Sequence, residues 1–459
     1  MSGPTHAAAP LTIAELTADI ESGRIDTVIV AITDMQGRIV GKRLHGQYFL
    51  DEVIAHGTEG CNYLLAVDVD MNTVEGYAMS SWSSGYGDFV MKPDFSTLRR
   101  VPWQEGTALV LADVEWLDGT PVVASPRQIL RRQLDRLDAA GMKAFVGTEL
   151  EFIVFQDTYE EAWEGGYRNL TPVNQYNVDY SILGTSRVEP LLRSLRLNMS
   201  AAGLYVESAK GECNFGQHEI AFKYTDALGT CDNHVVYKNG AKEIASDMGV
   251  ALTFMAKYNE REGNSCHIHL SFRGTDGSMV MTSDADSEHG LSELGRAFIA
   301  GQIEHMKEIT LLFAPNINSY KRYVAGSFAP TAIQWGRDNR TCAFRLVGRG
   351  PSLRLENRVP GGDVNPYLAV AGMVAAGLDG IERHLDPGPD NAGNAYKSDA
   401  ERVPDTLAGA LALWEGSGWV RKTFGEEVQA HYANMARVEI NAFARSVTDW
   451  ERYRNFERF

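Results

Sequence analysis

Several segments of this chain alternate polar and apolar residues with a period of two, the pattern of a β-strand with two different faces. The segment GTELEFIVF (147–155) directs Glu149 and Glu151 to one face and Leu150 and Phe152 to the other. Because its remaining residues are apolar, we expect the carboxylate face to be enclosed. The alternative is an edge strand on which both glutamates are solvated. Two enclosed carboxylates repel each other unless a cation lies between them.

The same alternation recurs farther along the chain. The segment GNSCHIHLSF (263–272) aligns two imidazoles and a hydroxyl after a glycine turn, and SLRLENRV (352–359) aligns two arginines around a glutamate. A single histidine is more often a satisfied core residue than a metal ligand, but two on one strand face are a stronger signal. The segment ESAKGECNFGQHEIAF (207–222) adds Glu207, Glu212 and Glu219.

Together these segments offer the metal ligands Glu149, Glu151, Glu212, Glu219, His267 and Glu356. Mg²⁺ and Mn²⁺ prefer oxygen ligands of this kind, whereas zinc would draw more histidine or cysteine. The same part of the chain contains five arginines, whose planar guanidinium groups are suited to bind a polyphosphate and a carboxylate: Arg322, Arg340, Arg345, Arg354 and Arg358. Metals and arginines around phosphates form the machinery of phosphoryl transfer. Because the chain has neither a Walker-type G-x-x-x-x-G-K-[ST] nor a kinase glycine loop, we expect a nucleotide site of another design.

The composition limits the classes of partner. With 43 basic and 60 acidic residues the chain has a net charge of −17, which argues against a general binder of nucleic acids or membrane surfaces. No basic stretch precedes an apolar one at the N-terminus, so no signal peptide is expected. The most apolar long segment, 367–378, is too short to cross a bilayer and is expected to be a buried helix. None of the five cysteines forms a C-x-x-C pair, so we expect reduced thiols in a cytoplasmic protein.

The length of 459 residues favours more than one domain. We predict an α+β fold with two domains, 10–118 and 119–459. The first is expected to be small, strand-rich and antiparallel, with a hairpin that turns at Asp34–Gly37. The second is expected to mix strands and helices, and to begin with a helix that Ser125 caps and Gly141 ends.

The ordered segments GTELEF, GECNFGQHE, CHIHLS, NSYKR, NR-x₄-R and RLENR resemble the glutamine synthetase superfamily. The turn TDMQGRIVGK and the segment 365–381 agree with it, so the resemblance covers nearly the whole chain. It implies a small β-grasp domain, a large catalytic domain, and active sites between neighbouring subunits of hexameric rings, usually stacked as dodecamers. The family reaction uses ATP to phosphorylate the γ-carboxylate of glutamate, and an amine then displaces phosphate from γ-glutamyl phosphate.

The resemblance also implies roles for single residues. Two or more Mg²⁺ or Mn²⁺ ions per site are expected, one held by Glu151, Glu212 and Glu219 and the other by Glu149, His267 and Glu356. The ATP contacts are expected to be Glu207, His269, Ser271, Arg345 and Arg354. The glutamate contacts are expected to be Gly263, Arg322, Arg340 and Arg358. Arg340 and Arg345 are expected to be catalytic, Arg340 by stabilising the transferring phosphoryl group.

The chain departs from ammonia-using members where these bind ammonium. Those members carry a glutamate before Ala-Pro in the stretch after NSYKR, and this chain has Phe328 there. They also carry an aspartate upstream of the position that matches Asp88, and the region 72–88 shows no counterpart. Because the metal, ATP and glutamate residues are all present, we expect catalysis with an organic amine, for which Phe328 supplies an apolar wall.

Within the superfamily the chain resembles the bacterial γ-glutamyl-polyamine and γ-glutamyl-ethanolamide synthetases, whose usual role is the assimilation or detoxification of amines. The alternatives are an ammonia-dependent glutamine synthetase with a rearranged base, and a catalytically silent scaffold of the same fold.

Alkyl amines arrive protonated, so a group of the protein is expected to take the proton. Glu75 and Asp88 are candidates, but the spacing in the sequence identifies neither of them. The surroundings of Tyr396 match poorly the loop that is adenylylated in some relatives, so no modification is predicted.

Overall fold

The computed structural model describes residues 10–283 and 287–459. Within these residues the backbone forms a six-stranded and a nine-stranded sheet, and the chain completes the first sheet before it begins the second. The predicted domain boundary at 118 falls between the two sheets.

The first sheet contains strands β1 to β6, at Thr27–Thr33, Ile39–His45, Thr58–Cys61, Asp88–Pro93, Arg99–Arg100 and Thr107–Glu115. They lie in the order β2-β1-β6-β4-β3, and β5 also pairs with β6. Strands β1 and β2 form the predicted hairpin. Its turn ends at Gly37, which has a φ of +82° and donates its amide to the carbonyl of Asp34. Glycine suits this position because it has no Cβ to clash in the left-handed region.

One pairing in this sheet differs from the antiparallel arrangement that we predicted. Strands β1 and β6 run parallel, with Val28 opposite Ala108 and Val30 opposite Val110. Parallel neighbours need a long crossover between them, and here the whole segment from β2 to β5 forms it. The prediction was wrong because it assumed that strands close in sequence pair only with one another.

The second sheet contains strands β7 to β15, at Met142–Phe155, Val206–Gly211, Gln217–Phe222, Thr225–Asp226, Ala251–Thr253, Cys266–Gly274, Trp335–Arg337, Phe344–Val347 and Arg354–Asn357. Their order is β13-β14-β15-β12-β7-β9-β8, and β10 and β11 also pair with β7. The 14-residue strand β7 therefore holds the sheet together. Its apolar face is packed as predicted, since Leu150 lies opposite Ile220 of β9 and both are buried.

Helices cover both sheets. Short helices α1 to α3 belong to the first part, at Ile13–Glu21, Gly46–Tyr48 and Ile54–His56. Helices α4 to α15 follow, at Pro126–Ala139, Tyr159–Glu164, Ile182–Ser186, Glu189–Ala201, Ala227–Asp247, Glu293–Phe313, Ile317–Tyr320, Pro366–Glu382, Leu407–Gly416, Gly418–Phe424, Glu426–Arg445 and Asp449–Asn455.

Two of these helices confirm predictions from the sequence. Helix α4 begins at Pro126 directly after Ser125, and it packs against β7. Helix α11 contains the apolar segment 367–378, in which every residue is buried, and it packs against α9 and α4. Among the described residues, none of the helices combines the length and the apolar character needed to span a bilayer.

Arg127 of α4 connects the two sheets through buried ion pairs. Its guanidinium donates to both carboxylate oxygens of Asp232 in α8 at 2.9 Å, and to Asp94 and Asp113 of the first part at 2.7 Å. The side chains of Arg127 and Asp232 are 2% and 4% exposed. Tyr367 of α11 also donates to Asp232, at 2.7 Å. The guanidinium of Arg127 thus forms ion pairs with three aspartates from elements that are far apart in the sequence.

We predict that Arg127→Met lowers the free energy of unfolding by about 3–5 kcal/mol, because it leaves Asp232 buried without its counter-charge. The control is Arg136→Met on the same helix, where the arginine lies 3.7 Å from the exposed Glu382 and less than about 1 kcal/mol is expected. Urea unfolding followed by circular dichroism measures both variants. Equal losses in the two would show that Arg127 contributes no more than a surface pair.

Candidate active site

The register of β7 brings predicted metal ligands side by side. Strand β12 places His267 opposite Glu149, and β9 places Glu219 opposite Glu151. Because alternate residues of a strand share a face, these side chains extend from the same side of the sheet. The predicted carboxylate face therefore belongs to an inner strand and not to an edge strand. Glu151 is buried, as expected, whereas the side chain of Glu149 is 37% exposed.

The neighbouring strands extend this face. Strand β15 places Glu356 opposite His269 of β12, and β14 places Arg345 opposite Glu356. Arg354 and Arg358 lie two residues to either side of Glu356 and continue the alternation. The polar face of the second sheet thus collects acids, imidazoles and arginines from five strands.

Three carboxylates form a compact group. The ligand oxygens of Glu151, Glu212 and Glu219 lie within 4.8 Å of one another. Lys210 of β8, which pairs with Glu219 across the sheet, forms an ion pair with Glu212 and lies 3.7 Å from Glu219. Burial and the nearby charge of Glu149 raise the pKa of Glu219 to about 8. Such crowding of acids favours a bound cation.

Glu151 is held in place by neutral donors. Its carboxylate accepts hydrogen bonds from Gln217 Nε2 at 3.1 Å and from the Ser265 amide at 2.7 Å. Both donors bond to the same oxygen, Oε2. The other oxygen is therefore left to face the acidic group.

A second group contains Glu149, His269 and Glu356, whose ligand atoms also lie within 4.8 Å of one another. The predicted ligand His267 lies beside it, with Nδ1 at 3.4 Å from both Glu149 and Glu356. His269 Nε2 lies 3.0 Å from Glu149, while its Nδ1 accepts from Arg354 at 3.2 Å. The structure therefore brings both histidines to this group, where the sequence assigned only His267 to the metal.

The charges around these acids set their ionisation. Burial opposes the charged form of Glu149, but the hydrogen bonds of His267 and His269 outweigh it and lower the pKa of its carboxyl. Burial also opposes charge on Glu356, yet its ion pair with Arg358, aided by His267, lowers its pKa to about 2. Both carboxylates are therefore ionised and able to bind a cation.

The donor set fits divalent cations. Each group offers the carboxylate oxygens that Mg²⁺ and Mn²⁺ prefer, and the second adds one imidazole nitrogen from His269. His267 Nε2 is buried and has no hydrogen-bond partner in the part of the chain that the structure describes. A buried polar atom without a partner is costly, and a ligand in the cleft would satisfy it.

These side chains open into two adjoining clefts that share Glu149. The first has a volume of about 420 Å³ and contains most of the predicted metal and glutamate residues: Glu149, Glu151, Glu212, Glu219, Gly263, His267, Phe328, Arg340, Arg345, Glu356 and Arg358. The second has about 460 Å³ and contains Glu149, Glu207, His269, Ser271 and Arg354. All the predicted ATP contacts except Arg345 thus line one cleft.

Arg322 lies behind the first cleft and is only 2% exposed. Its guanidinium donates to the carbonyl of Val359 at 2.8 Å and to Ser265 Oγ at 3.1 Å. Gly263 lies against it, since a Cβ there would come within 3.0 Å of Arg322 Cγ and within 2.2 Å of the Ala256 carbonyl. Arg322 therefore supports the wall of the cleft in this structure and does not line it.

Phe328 has an unusual backbone conformation. Its φ is +55°, in the left-handed region that bulky residues rarely adopt, and its side chain is 55% exposed in the single chain. It lines the first cleft together with Ser327 and the exposed Arg340. Phe328 therefore lies at the cleft, where we expect an apolar wall, but the single chain does not enclose its side chain.

Sequence reasoning missed residues that the structure adds to the site. Lys210 carries no motif of its own, and only its register opposite Glu219 connects it with the acids. Asp179 and Tyr180 reach the first cleft from a loop before α6. Neither Glu75 nor Asp88 lines this cleft in the same chain.

The chain matches the family model described as glutamine synthetase, catalytic domain, over residues 123–455. It is 64% identical over 449 residues to γ-glutamylethanolamide synthetase GlnA4 of Streptomyces coelicolor, covering 98% of this chain and 96% of that protein. It is 38% identical over 437 residues to glutamate–isopropylamine ligase from a Pseudomonas species, covering 94% and 95%. Its fold superposes on apo GmaS without ligand with a TM-score of 0.84 and 29% identity, over 97% of this chain and 99% of that chain.

The family model covers more than half of the chain, and both relatives extend along nearly all of it. The ordered segments that first indicated a family, from GTELEF to RLENR, all lie within the matched region. The chain therefore belongs to the glutamine synthetase family.

Proposed function

We propose that this chain is an ATP-dependent ligase that joins the γ-carboxyl of L-glutamate to a small organic amine, with ethanolamine as the first candidate. The observation that carries the proposal is a cleft in which acids and arginines meet while Phe328 stands where ammonia-using members have a glutamate. The Streptomyces coelicolor relative is a γ-glutamylethanolamide synthetase and the Pseudomonas relative is a glutamate–isopropylamine ligase. Both names specify an organic amine as the acceptor, and neither specifies ammonia.

We assign Glu151, Glu212 and Glu219 to one divalent cation, Mg²⁺ or Mn²⁺, and Glu149, His267 and Glu356 to another. The ligand spacing of the first group and the approach of His267 to Glu149 and Glu356 support this assignment. When bound, the cations would offset the charge of the ATP phosphates.

We assign the second cleft to ATP, through the contacts Glu207, His269, Ser271 and Arg354, and with Arg345 reaching the phosphates from the first cleft. The first cleft then receives glutamate, near Gly263 and Arg358, with Arg322 fixing the wall behind them. Glu149 lines both clefts, so the γ-phosphate and the γ-carboxylate would meet beside it.

The chemistry follows from this placement. A carboxylate is a poor electrophile, so a γ-carboxylate oxygen of glutamate first attacks the γ-phosphorus of ATP and ADP leaves. Arg340 and Arg345 offset the negative charge of the transferring group. After the alkylammonium has given one proton to water, the uncharged amine nitrogen attacks the carbonyl carbon of γ-glutamyl phosphate. Phosphate leaves with the C–O bond electrons and takes the extra proton of the nitrogen. The products are a γ-glutamyl amide, ADP and phosphate.

We also infer the assembly from the family. In this proposal residues 10–118 form a β-grasp domain, residues 119–459 form the catalytic domain, and the protein works in the cytoplasm as hexameric rings, stacked as a dodecamer. The parallel pairing of β1 and β6 beside the β1–β2 hairpin supports a β-grasp. The half-exposed Phe328 supports a cleft that a neighbouring subunit completes.

Phosphate release with ATP, Mg²⁺ and glutamate tests the proposed function across acceptors. We predict the highest kcat/KM with ethanolamine, lower values with isopropylamine, putrescine and spermidine, and the lowest with ammonium. Ammonium as the best acceptor would identify an ammonia-dependent glutamine synthetase. Absence of release with every acceptor would favour the silent scaffold.

Metal binding tests the assignment of the acidic group. We predict that Glu151→Gln lowers the affinity for Mn²⁺, measured by calorimetry or electron paramagnetic resonance, by about tenfold or more, because even supporting residues of metal sites contribute that much. Turnover with every amine should be lost as well. Glu160→Gln, on the exposed face of α5, removes the same charge outside the cleft and should bind Mn²⁺ like the wild type. Unchanged Mn²⁺ affinity in Glu151→Gln would refute the assignment.

Phe328→Glu tests the apolar wall. We predict that it raises the ratio of kcat/KM for ammonium to that for ethanolamine about tenfold, because a carboxylate there attracts a small cation and is poorly matched to carbon. Val324→Glu is the matched control, since Val324 is 50% exposed in the same loop but lies outside the cleft. A ratio that stays constant, or that rises equally in both variants, would count against the role of Phe328.

A further inference from the structure

Most carboxylates of the first cleft already face a cation or firm hydrogen-bond donors. Lys210 pairs with Glu212 and Glu219, while Arg345 and Arg358 pair with Glu356. Glu149 bonds to two histidines, and Glu151 accepts from Gln217 and Ser265. Each of these acids therefore has a role in the metal groups or a partner within the protein.

Asp179 differs from these acids. Asp179 is exposed and lines the same cleft, but among the described residues no lysine, arginine or histidine forms an ion pair with it. Glu262 also lines the cleft without an ion pair, but it interacts with the charge of Lys257. The ligand oxygen of Asp179 lies within 4.8 Å of those of Glu212 and of the sulfur of Cys213. Burial, followed by the charges of Asp179 and Glu262, raises the pKa of the Cys213 thiol to about 11, so this neighbour is a neutral thiol.

The loop that carries Asp179 is anchored. The Asp179 amide donates to Asn177 Oδ1 at 2.8 Å, and the preceding residue, Val178, is fully buried. Val178 packs closely on two glycines, because a Cβ on Gly184 or Gly211 would come within 2.5 or 2.3 Å of it. The carboxylate of Asp179, whose partner is the neutral thiol of Cys213, is therefore held at the cleft by a packed residue beside it.

The cleft has the features of a ligand site apart from its acids. Arg358 is 4% exposed and lines the cleft, and its Nε has no hydrogen-bond partner among the described residues. His267 Nε2 is in the same condition. The free Nε–H of Arg358 matches an anionic substrate such as the glutamate carboxylate, so a second, cationic substrate would find its counter-charge elsewhere in the cleft.

We propose that Asp179 binds the charged amino group of the acceptor amine and so sets the preference for protonated alkyl amines. This inference rests on the proposed function. Alkyl amines carry a positive charge at neutral pH, and a carboxylate without a counter-charge at the cleft attracts them. Asp179 holds the ammonium group at the cleft, whereas Phe328 contacts its carbon. An acceptor without charge gains nothing from Asp179.

The test compares a charged and an uncharged acceptor in the full-length protein with ATP, Mg²⁺ and glutamate. Ethanolamine is the charged acceptor, and hydroxylamine, which is uncharged near neutral pH, is the other. We expect Asp179→Asn to raise KM for ethanolamine about tenfold or more, since it replaces a charged hydrogen bond to a cation by a neutral one. KM for glutamate and kcat/KM for hydroxylamine should stay near the wild-type values.

Two further variants sharpen this comparison. Asp179→Glu keeps the charge and should recover part of the affinity for ethanolamine. Glu260→Gln removes one charge from an exposed position outside the cleft and should leave KM for ethanolamine unchanged. An equal rise in KM for ethanolamine in Glu260→Gln would show a general effect of net charge and would overturn the inference.

Other outcomes would overturn the inference in distinguishable ways. If Asp179→Asn leaves KM for ethanolamine unchanged while the wild type turns ethanolamine over, Asp179 does not bind the amine and the proposed function stands. If it reduces turnover of both acceptors equally and raises the Mg²⁺ requirement, Asp179 belongs to the metal group with Glu212. A wild type that releases phosphate with no amine would remove the proposed function and this inference with it.

Discussion

The register of strand β7 is the constraint on which the site depends. Glu149 and Glu151 meet His267 and Glu219 only because β12 and β9 pair with β7 in one particular alignment. A shift of one residue would turn both carboxylates into the core and bring Leu150 to the cleft. The packed apolar face, where Leu150 lies opposite Ile220, makes that shift unfavourable. The core therefore positions the acids without contacting them.

The strand register also brings several carboxylates close together, and their negative charges repel one another unless cations lie between them. Lys210 and Arg358 neutralise acids from neighbouring strands, and the low pKa of Glu356 reflects such a partner. Burial, together with the charge of Glu149, raises the pKa of Glu219 to about 8, and the nearby Lys210 does not offset this. A site of this kind is well suited to cations and to phosphates together, because the arginines and the acids lie on one face of the sheet.

The sequence predicted the local parts of this design and missed the non-local ones. Alternation in segments 147–155 and 266–272 predicted strands and their polar faces, since that signal lies in neighbouring residues. The parallel pairing of β1 with β6 could not be predicted from alternation, because it depends on which strands meet. For the same reason Lys210 and Asp179 escaped notice. Lys210 reaches the site because β8 pairs with β9 in one register, and Asp179 reaches it because its loop packs beside the cleft.

The position of negative charge in the first cleft connects these observations. By its resemblance to the family, the chain has Phe328 where ammonia-using members place a glutamate, and it offers in the same cleft the carboxylate of Asp179, which has no counter-charge. Loss of a charge at one position and presence of one at another is not the pattern of a decayed site, because the arginines and the two acidic groups are present around both. It is the pattern of a cleft that still attracts a cation but must accommodate carbon beside it. Under the proposed function, selectivity between ammonia and an organic amine then depends on where the cleft holds its charge, since both acceptors are cations in solution.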